Sequence, residues 1–218
     1  MKTVPGMAFK SALLAAAFGL AGCATSPPVH YYTLLSSETP QAGNVQPPEA
    51  GYLLEVVPVT VPPQADQPQI MIREAGGGVS AYYSDRWTAP LGDEIRGALS
   101  YNLVRMLGAI DVQSINAPAQ APVWRVQVDV QRFDAMAGGA AVLDATWRIR
   151  PLNLGGAALL CRTVVQVPLG GGRPADAAGA QQRAVSELAA TIATGIRAGG
   201  ARAEPASAAV QLSGCRAG

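Results

Sequence analysis

Few side chains in this chain have the means to do covalent chemistry. There are three cysteines, Cys23, Cys161 and Cys215, and a single histidine, His30. Cys23 closes the stretch Leu20-Ala21-Gly22-Cys23. Small residues ahead of a cysteine let the chain lie extended in a peptidase groove, and the sulfur is the nucleophile that accepts a group. Cys161 and Cys215 either pair as a disulfide or stand as two separate thiols. With no CxxC and no Cys/His cluster, neither a redox centre nor a zinc site is indicated. His30 sits close to Cys23, and no GxSxG elbow is present, so no triad can be assembled in a core. Asp129 and Asp144 could meet across adjacent strands as a pair of carboxylates. Arg125, Arg148 and Arg162 share their polar face, and cross-strand charge pairing accounts for them without acid–base catalysis. Gly76 to Gly78 lack the GxxxxGK[ST] pattern of a phosphate loop and read as a turn. The expectation is a protein with no catalytic residue, no metal and no cofactor.

The leader around Cys23 does carry a signal. Lys2 and Lys10 are basic, and Ser11 to Gly19 (SALLAAAFG) is apolar and uncharged. That run is too short for a bilayer, which takes about 20 apolar residues, and has the layout of a secretory signal peptide. The exit resembles the bacterial lipobox, which implies a diacylglycerol thioether on Cys23, cleavage before it and acylation of the new amino terminus. Stable anchoring needs two or more chains at about 0.8 kcal/mol per buried CH2. Ala24 is not the aspartate associated with inner-membrane retention, so resemblance to known lipoproteins points to the periplasmic face of the outer membrane.

Removing residues 1–22 from 218 leaves 196. Both lysines go with the leader, so 14 arginines face 15 acidic residues and the formal charge is −1. No basic tail remains and nucleic acid is not an expected partner. The expected organisation is a signal peptide over 1–22, a lipidated tether over 23–50 with a short strand at 29–35, one domain over 51–198, and a flexible tail over 199–218 unless Cys215 pins it.

The elements of that domain follow from periodicity. Tyr52 to Pro62 reads as a strand closed by Pro62-Pro63, and Gln69 to Glu74 with Val79 to Tyr83 as a hairpin. Leu91, Ile95, Ala98, Leu99, Asn102 and Met106 recur every three or four residues. With Asp93 and Glu94 early, Arg105 late and Gly108 as the stop, they predict an amphipathic helix of about 18 residues. Ala109 to Ile115 reads as the strand after it. In VWRVQVDVQRFD, Trp124, Val126, Val128 and Val130 alternate with polar partners, and Phe133 breaks the register, as either a bulge or the end of the strand would. Ala141, Leu143, Ala145, Trp147 and Ile149 alternate in the same way, and Ala158 to Val167 continues the sheet. A second helix is predicted over Gly179 to Arg197. The fold class is α+β: a mainly antiparallel sheet with two amphipathic helices packed on one face.

SAYYSDRWTAPLGDEI places Tyr82, Tyr83, Arg86 and Trp87 just before the first helix. Tyr82, Arg86 and, on the helix, Arg96 are the candidate partner interface, since aromatics and arginine favour such surfaces; Trp87 is assigned to sealing the core.

Several stretches in order give a family resemblance: the lipobox at Cys23, YYTL (31–34), LEVVPV (54–59), IMIR (70–73), DRWTAPLGDEIRGALSYNL (85–103), VQVDVQRFD and AVLDATWRI. Together the chain resembles the auxiliary lipoproteins of ABC-type envelope transport systems, the paraquat-inducible protein C type. Where many relatives carry a proline-tyrosine-leucine stretch, this chain has PPQADQPQI. The resemblance implies a partner system: an MCE-domain periplasmic protein that forms a conduit, with a permease and ATPase or related integral proteins. It implies phospholipid cargo, a contribution to membrane integrity, and assembly of copies into a ring as one arrangement. The alternative is a structural or assembly lipoprotein of another cell-envelope complex.

Overall fold

The computed structural model describes residues 27–35, 49–115 and 117–218. The leader, Cys23 and residues 36–48 of the expected tether lie outside the described residues. Among the described residues eight strands and two helices follow in the order β1 (His30–Tyr32), β2 (Leu53–Val56), β3 (Gln69–Arg73), β4 (Val79–Trp87), α1 (Leu91–Leu107), β5 (Val123–Met136), β6 (Ala140–Leu152), β7 (Leu159–Pro168), α2 (Pro174–Arg197) and β8 (Val210–Ala217). They build one sheet in the order β1-β4-β3-β5-β6-β7-β8, with β2 added beside β5.

The centre of the sheet is the antiparallel run β5-β6-β7. Alternation places Trp124, Val126, Val128 and Val130 of β5 with Ala141, Leu143, Ala145, Trp147 and Ile149 of β6 in the core. The β5 register shifts between Val130 and Arg132, so Phe133 returns to the buried face. Trp147 keeps its indole N–H satisfied inside the core by donating to Thr163 Oγ1 at 2.8 Å, which removes the cost of burying a bare donor.

Both helices lie on this face. α1 ends at Gly108, whose φ of 61° is the left-handed conformation a glycine adopts without strain. α2 buries Ala177, Ala180, Ala184, Ala189 and Ala193 along its stripe, small residues that bring its axis close to the sheet. At Gly195 a Cβ would stand 3.1 Å from Ile149 Cδ1. Gly200 closes the following turn with φ +80°, its Cα so near the Ala157 carbonyl that a Cβ would be 1.8 Å from that oxygen.

Several boundaries differ from the sequence expectation, and the strand read over Tyr52 to Pro62 shortens to Leu53–Val56. Ala109 to Ile115 is not a strand: it makes one parallel bridge, Asp111 to Leu54, and otherwise serves to aim the Asp111 side chain. α2 begins at Pro174, five residues before Gly179, because Pro174 fits its first turn and Asp176 accepts from the Arg173 backbone N–H at 3.2 Å. The tail expected to be flexible carries β8 at residues 210–217, paired antiparallel with β7. Cys161 and Cys215 stand opposite each other in that register and are joined by a disulfide.

Candidate docking surface and the clasp beneath it

The folded unit starts at His30 rather than at residue 51, because β1 pairs in parallel with β4: His30 opposite Asp85, Tyr31 opposite Arg86, Tyr32 opposite Trp87. Tyr32 donates its phenol to Asp85 Oδ1 at 2.8 Å, and His30 Nδ1 lies 3.6 Å from the same oxygen. Burial, then the hydrogen bond to Asp85 and the charge of that carboxylate, hold the Tyr32 phenol above its ordinary pKa; the Arg173 charge opposes them. Leu34 is fully buried. Its backbone N–H and the Thr33 hydroxyl both donate to Glu94 Oε2 at 2.8 Å, and the Thr88 hydroxyl donates to Glu94 Oε1. Glu94, 6% exposed, thus clasps the incoming chain to the start of α1. From sequence, Glu94 reads only as a partner of the helix dipole; a buried carboxylate demands donors, and Thr33 and Thr88 are the signal for them.

The expected interface residues separate. Arg86 is at the surface, its Nε donating to the Tyr83 carbonyl at 2.9 Å. Tyr82 is half-buried against the core and pairs with Ile70. Arg96 does not present an open helix face: its Nε donates to the Val56 carbonyl at 3.1 Å and its terminal nitrogen to Asp111 Oδ2 at 3.0 Å. Ser100 adds a hydroxyl to the same Asp111 oxygen at 2.5 Å. Arg96 and Ser100, four apart on α1, form a polar seam that fastens the 109–112 segment, and Arg96 leaves the candidate interface. What stands out beside Arg86 is aromatic: Tyr31 is 64% and Tyr83 70% exposed. Trp87 is buried and its ring lies 6.4 Å from that of Phe133, as a core seal should.

Among the described residues no helix covers the other sheet face, which is strongly charged. Arg125 of β5 is held by Glu55 through two bonds, 2.7 and 3.1 Å. Arg162 is held by Asp144 in the same manner, and this carboxylate raises the guanidinium pKa further. Arg150 stands directly across from Arg125, and its Nε is buried without a hydrogen-bond partner. One register row further on, Arg148, Leu160 and Arg216 lie side by side across β6, β7 and β8; Leu160 is 45% exposed. Like charges opposed across a strand pair and an unsatisfied donor both cost stability, so this patch is not optimised for the isolated domain.

A cleft of about 280 Å³ opens where β3 leaves β5, between Met71, Trp87, Leu91, Phe133 and Gln181. At its mouth Asp134 bridges Arg73 and Arg132 at 3.0 and 2.9 Å. Among the described residues there is no group of histidines, cysteines or carboxylates able to hold a metal, and no helix is long and apolar enough to cross a membrane.

A family model for the ABC-type transport auxiliary lipoprotein component matches residues 32–193. The chain belongs to that family. Its members are auxiliaries of transport rather than enzymes, and the association implies a partner within a transport complex. The match starts at Tyr32, the last residue of β1, and ends in α2, so it takes in the Thr33 and Leu34 contacts to Glu94. A crystal structure of an uncharacterized protein superimposes with a TM-score of 0.60 at 18% identity, covering 78% of this chain and 99% of that one; it supports the fold. A protein from Xanthomonas campestris has 18% identity over 74% of this chain and 90% of its own, with a TM-score of 0.49. No curated protein matches the chain.

Proposed function

We propose that this chain is the lipid-anchored accessory subunit of an envelope lipid-transport system. Cys23 holds it at the periplasmic face of the outer membrane, and the domain docks an MCE-domain conduit protein of the same system. The observation that carries the reading is the family match over residues 32–193, on a domain whose first strand is clasped only seven positions after Cys23 (30 minus 23). The sheet face that no described helix covers supplies a protein-binding surface. Arg148, Arg150 and Arg216 around Leu160 suit an acidic partner with an apolar centre, since arginines and desolvated apolar anchors dominate such contacts. Docking would supply carboxylates to guanidiniums that Glu55 and Asp144 do not reach.

The test is affinity purification of the full chain from detergent-solubilised membranes of its own host, followed by identification of what accompanies it. Wild-type protein should bring down an MCE-domain protein, and Arg148→Glu with Arg216→Glu should lose it while the domain stays folded by circular dichroism. Recovery of components of a secretion or outer-membrane assembly machine instead would establish the structural-lipoprotein alternative.

A further inference from the structure

We infer that the β1–β4 edge of the domain, presenting Val29, Tyr31, Tyr83 and Arg86, rests on the lipid headgroups of the membrane that holds Cys23. The inference builds on the lipid anchor of the proposed function and goes beyond it by assigning a face to the bilayer.

Chain length makes the first argument. His30 is seven positions after Cys23, and a fully extended chain covers at most about 3.6 Å per residue, hence about 25 Å. A domain of this size has a radius of gyration of about 16 Å and a diameter larger than that reach. The link therefore cannot pass around the domain, and the edge at which it enters must stay near the anchor.

Register identifies that edge. β1 runs parallel to β4 with His30 opposite Asp85, so the chain upstream of His30 heads toward the positions of β4 that precede Asp85. Tyr83 lies at that end. Val29, Tyr31 and Tyr83 are 47%, 64% and 70% exposed, which collects three large apolar side chains where the link enters. Tyrosine has an apolar ring with a polar tip and is enriched at the membrane–water boundary for that reason. Arg86 stands next to Tyr31 in register, and among the described residues no carboxylate pairs with it. A guanidinium beside two phenols suits phosphate oxygens. The Glu94 clasp makes the surface rigid, because the exposed Tyr31 is flanked by Tyr32 and Thr33, whose side chains are both tied down.

The placement also divides the two surfaces by role. The edge meets lipid, and the arginine face of β6, β7 and β8 is left for protein.

Hydroxyl-radical footprinting tests this on the native tyrosines. Purified lipidated protein is bound to vesicles of phosphatidylethanolamine and phosphatidylglycerol and compared with the unlipidated Cys23→Ser form in buffer. Oxidation of Tyr31 and Tyr83 should fall at least fivefold on vesicles, while Leu160 reacts equally in both. Intact mass reports separately whether Cys23 carries acyl chains; a missing acyl mass would refute the anchor on which the inference depends. Acylated, vesicle-bound protein whose Tyr31 and Tyr83 remain as reactive as in buffer would overturn the membrane edge and leave the anchor standing. Protection that arises only when the co-purifying protein is added would assign the edge to a protein partner and overturn the inference as well.

Discussion

Replacing Glu94 with alanine should free the amino-terminal segment without unfolding the sheet. Three donors converge on this carboxylate: the Thr33 hydroxyl and Leu34 N–H on Oε2, and the Thr88 hydroxyl on Oε1. Hydrogen bonds to a charged acceptor contribute about 1.5–3 kcal/mol each, so simple addition gives about 5–9 kcal/mol. Addition overshoots, because the segment has an escape. Once β1 and Leu34 detach, the orphaned N–H and hydroxyls return to water, and the loss is capped by what docking the segment contributed. Leu34 is the main apolar term there, and burying a leucine contributes about 1.5–3 kcal/mol. With the β1–β4 hydrogen bonds added, the expected loss is about 2–4 kcal/mol. At 1.4 kcal/mol per factor of ten, hydrogen exchange at the Leu34 amide should accelerate about 30- to 700-fold, while β5 and β6 amides keep their protection. Glu94→Gln should cost only about 1 kcal/mol: its one carbonyl can face Leu34 and Thr33, and the Thr88 hydroxyl can turn to accept from the amide. Less than a threefold change at Leu34 in Glu94→Ala would show that Glu94 does not hold the segment.

Other consequences follow from single contacts. Cys215→Ser should release β8; a cross-link closing 54 residues contributes up to about 4 kcal/mol in the chain-entropy account, and non-reduced peptide mapping that finds two alkylatable thiols in wild type would refute the pairing. Arg96→Glu should destabilise by about 3–5 kcal/mol by opposing the half-buried Asp111, measured by urea unfolding, whereas Arg86→Glu should leave the midpoint nearly unchanged. Ultraviolet titration should place two phenols above the ordinary tyrosine range, Tyr52 through burial and Tyr32. Because the folded pKa of Tyr32 is raised by burial and by Asp85, its contribution is complete below about pH 10 and is lost as pH rises beyond it; Tyr32→Phe should remove that phenol from the titration. Cys23→Ser should leave the leader uncleaved or the protein unanchored, and unchanged palmitate labelling of that variant would contradict lipidation.

The parts that could be read in the sequence are those whose partners are local. β5, β6 and β7 are joined by short connections and alternate, so most of their buried residues follow from period two; Phe133 departs from it, and the shift between Val130 and Arg132 shows that the cause is a bulge. α1 was legible from its stripe and from Gly108. The parallel pairings of β1 with β4 and β2 with β5 join segments more than 50 residues apart, and no local pattern announces them; hence the domain was read as starting at residue 51. Residues 109–115 have strand-like composition, but one bridge to Leu54 is all the pairing they find. β8 is polar and exposed, and its order comes from β7 and Cys161 rather than from its own apolar content. The inward turn of Arg96 was readable in principle: Arg96 and Ser100 share a helix face, and a polar pair there implies a buried partner such as Asp111. The tyrosines form a cluster in the sequence, yet which of them is exposed depends on the bulge between β3 and β4, where Gln69 pairs with Arg86 and Ile70 with Tyr82.

The most direct test of the account is photo-crosslinking in living cells from a photoreactive residue at position 160, on the arginine face. The account predicts a single major adduct between the acylated full chain and an MCE-domain protein, weakened by Arg148→Glu and Arg216→Glu. A folded, acylated Leu160 probe that captures only an assembly or secretion component, or yields no adduct while the transport partner is present, would contradict it.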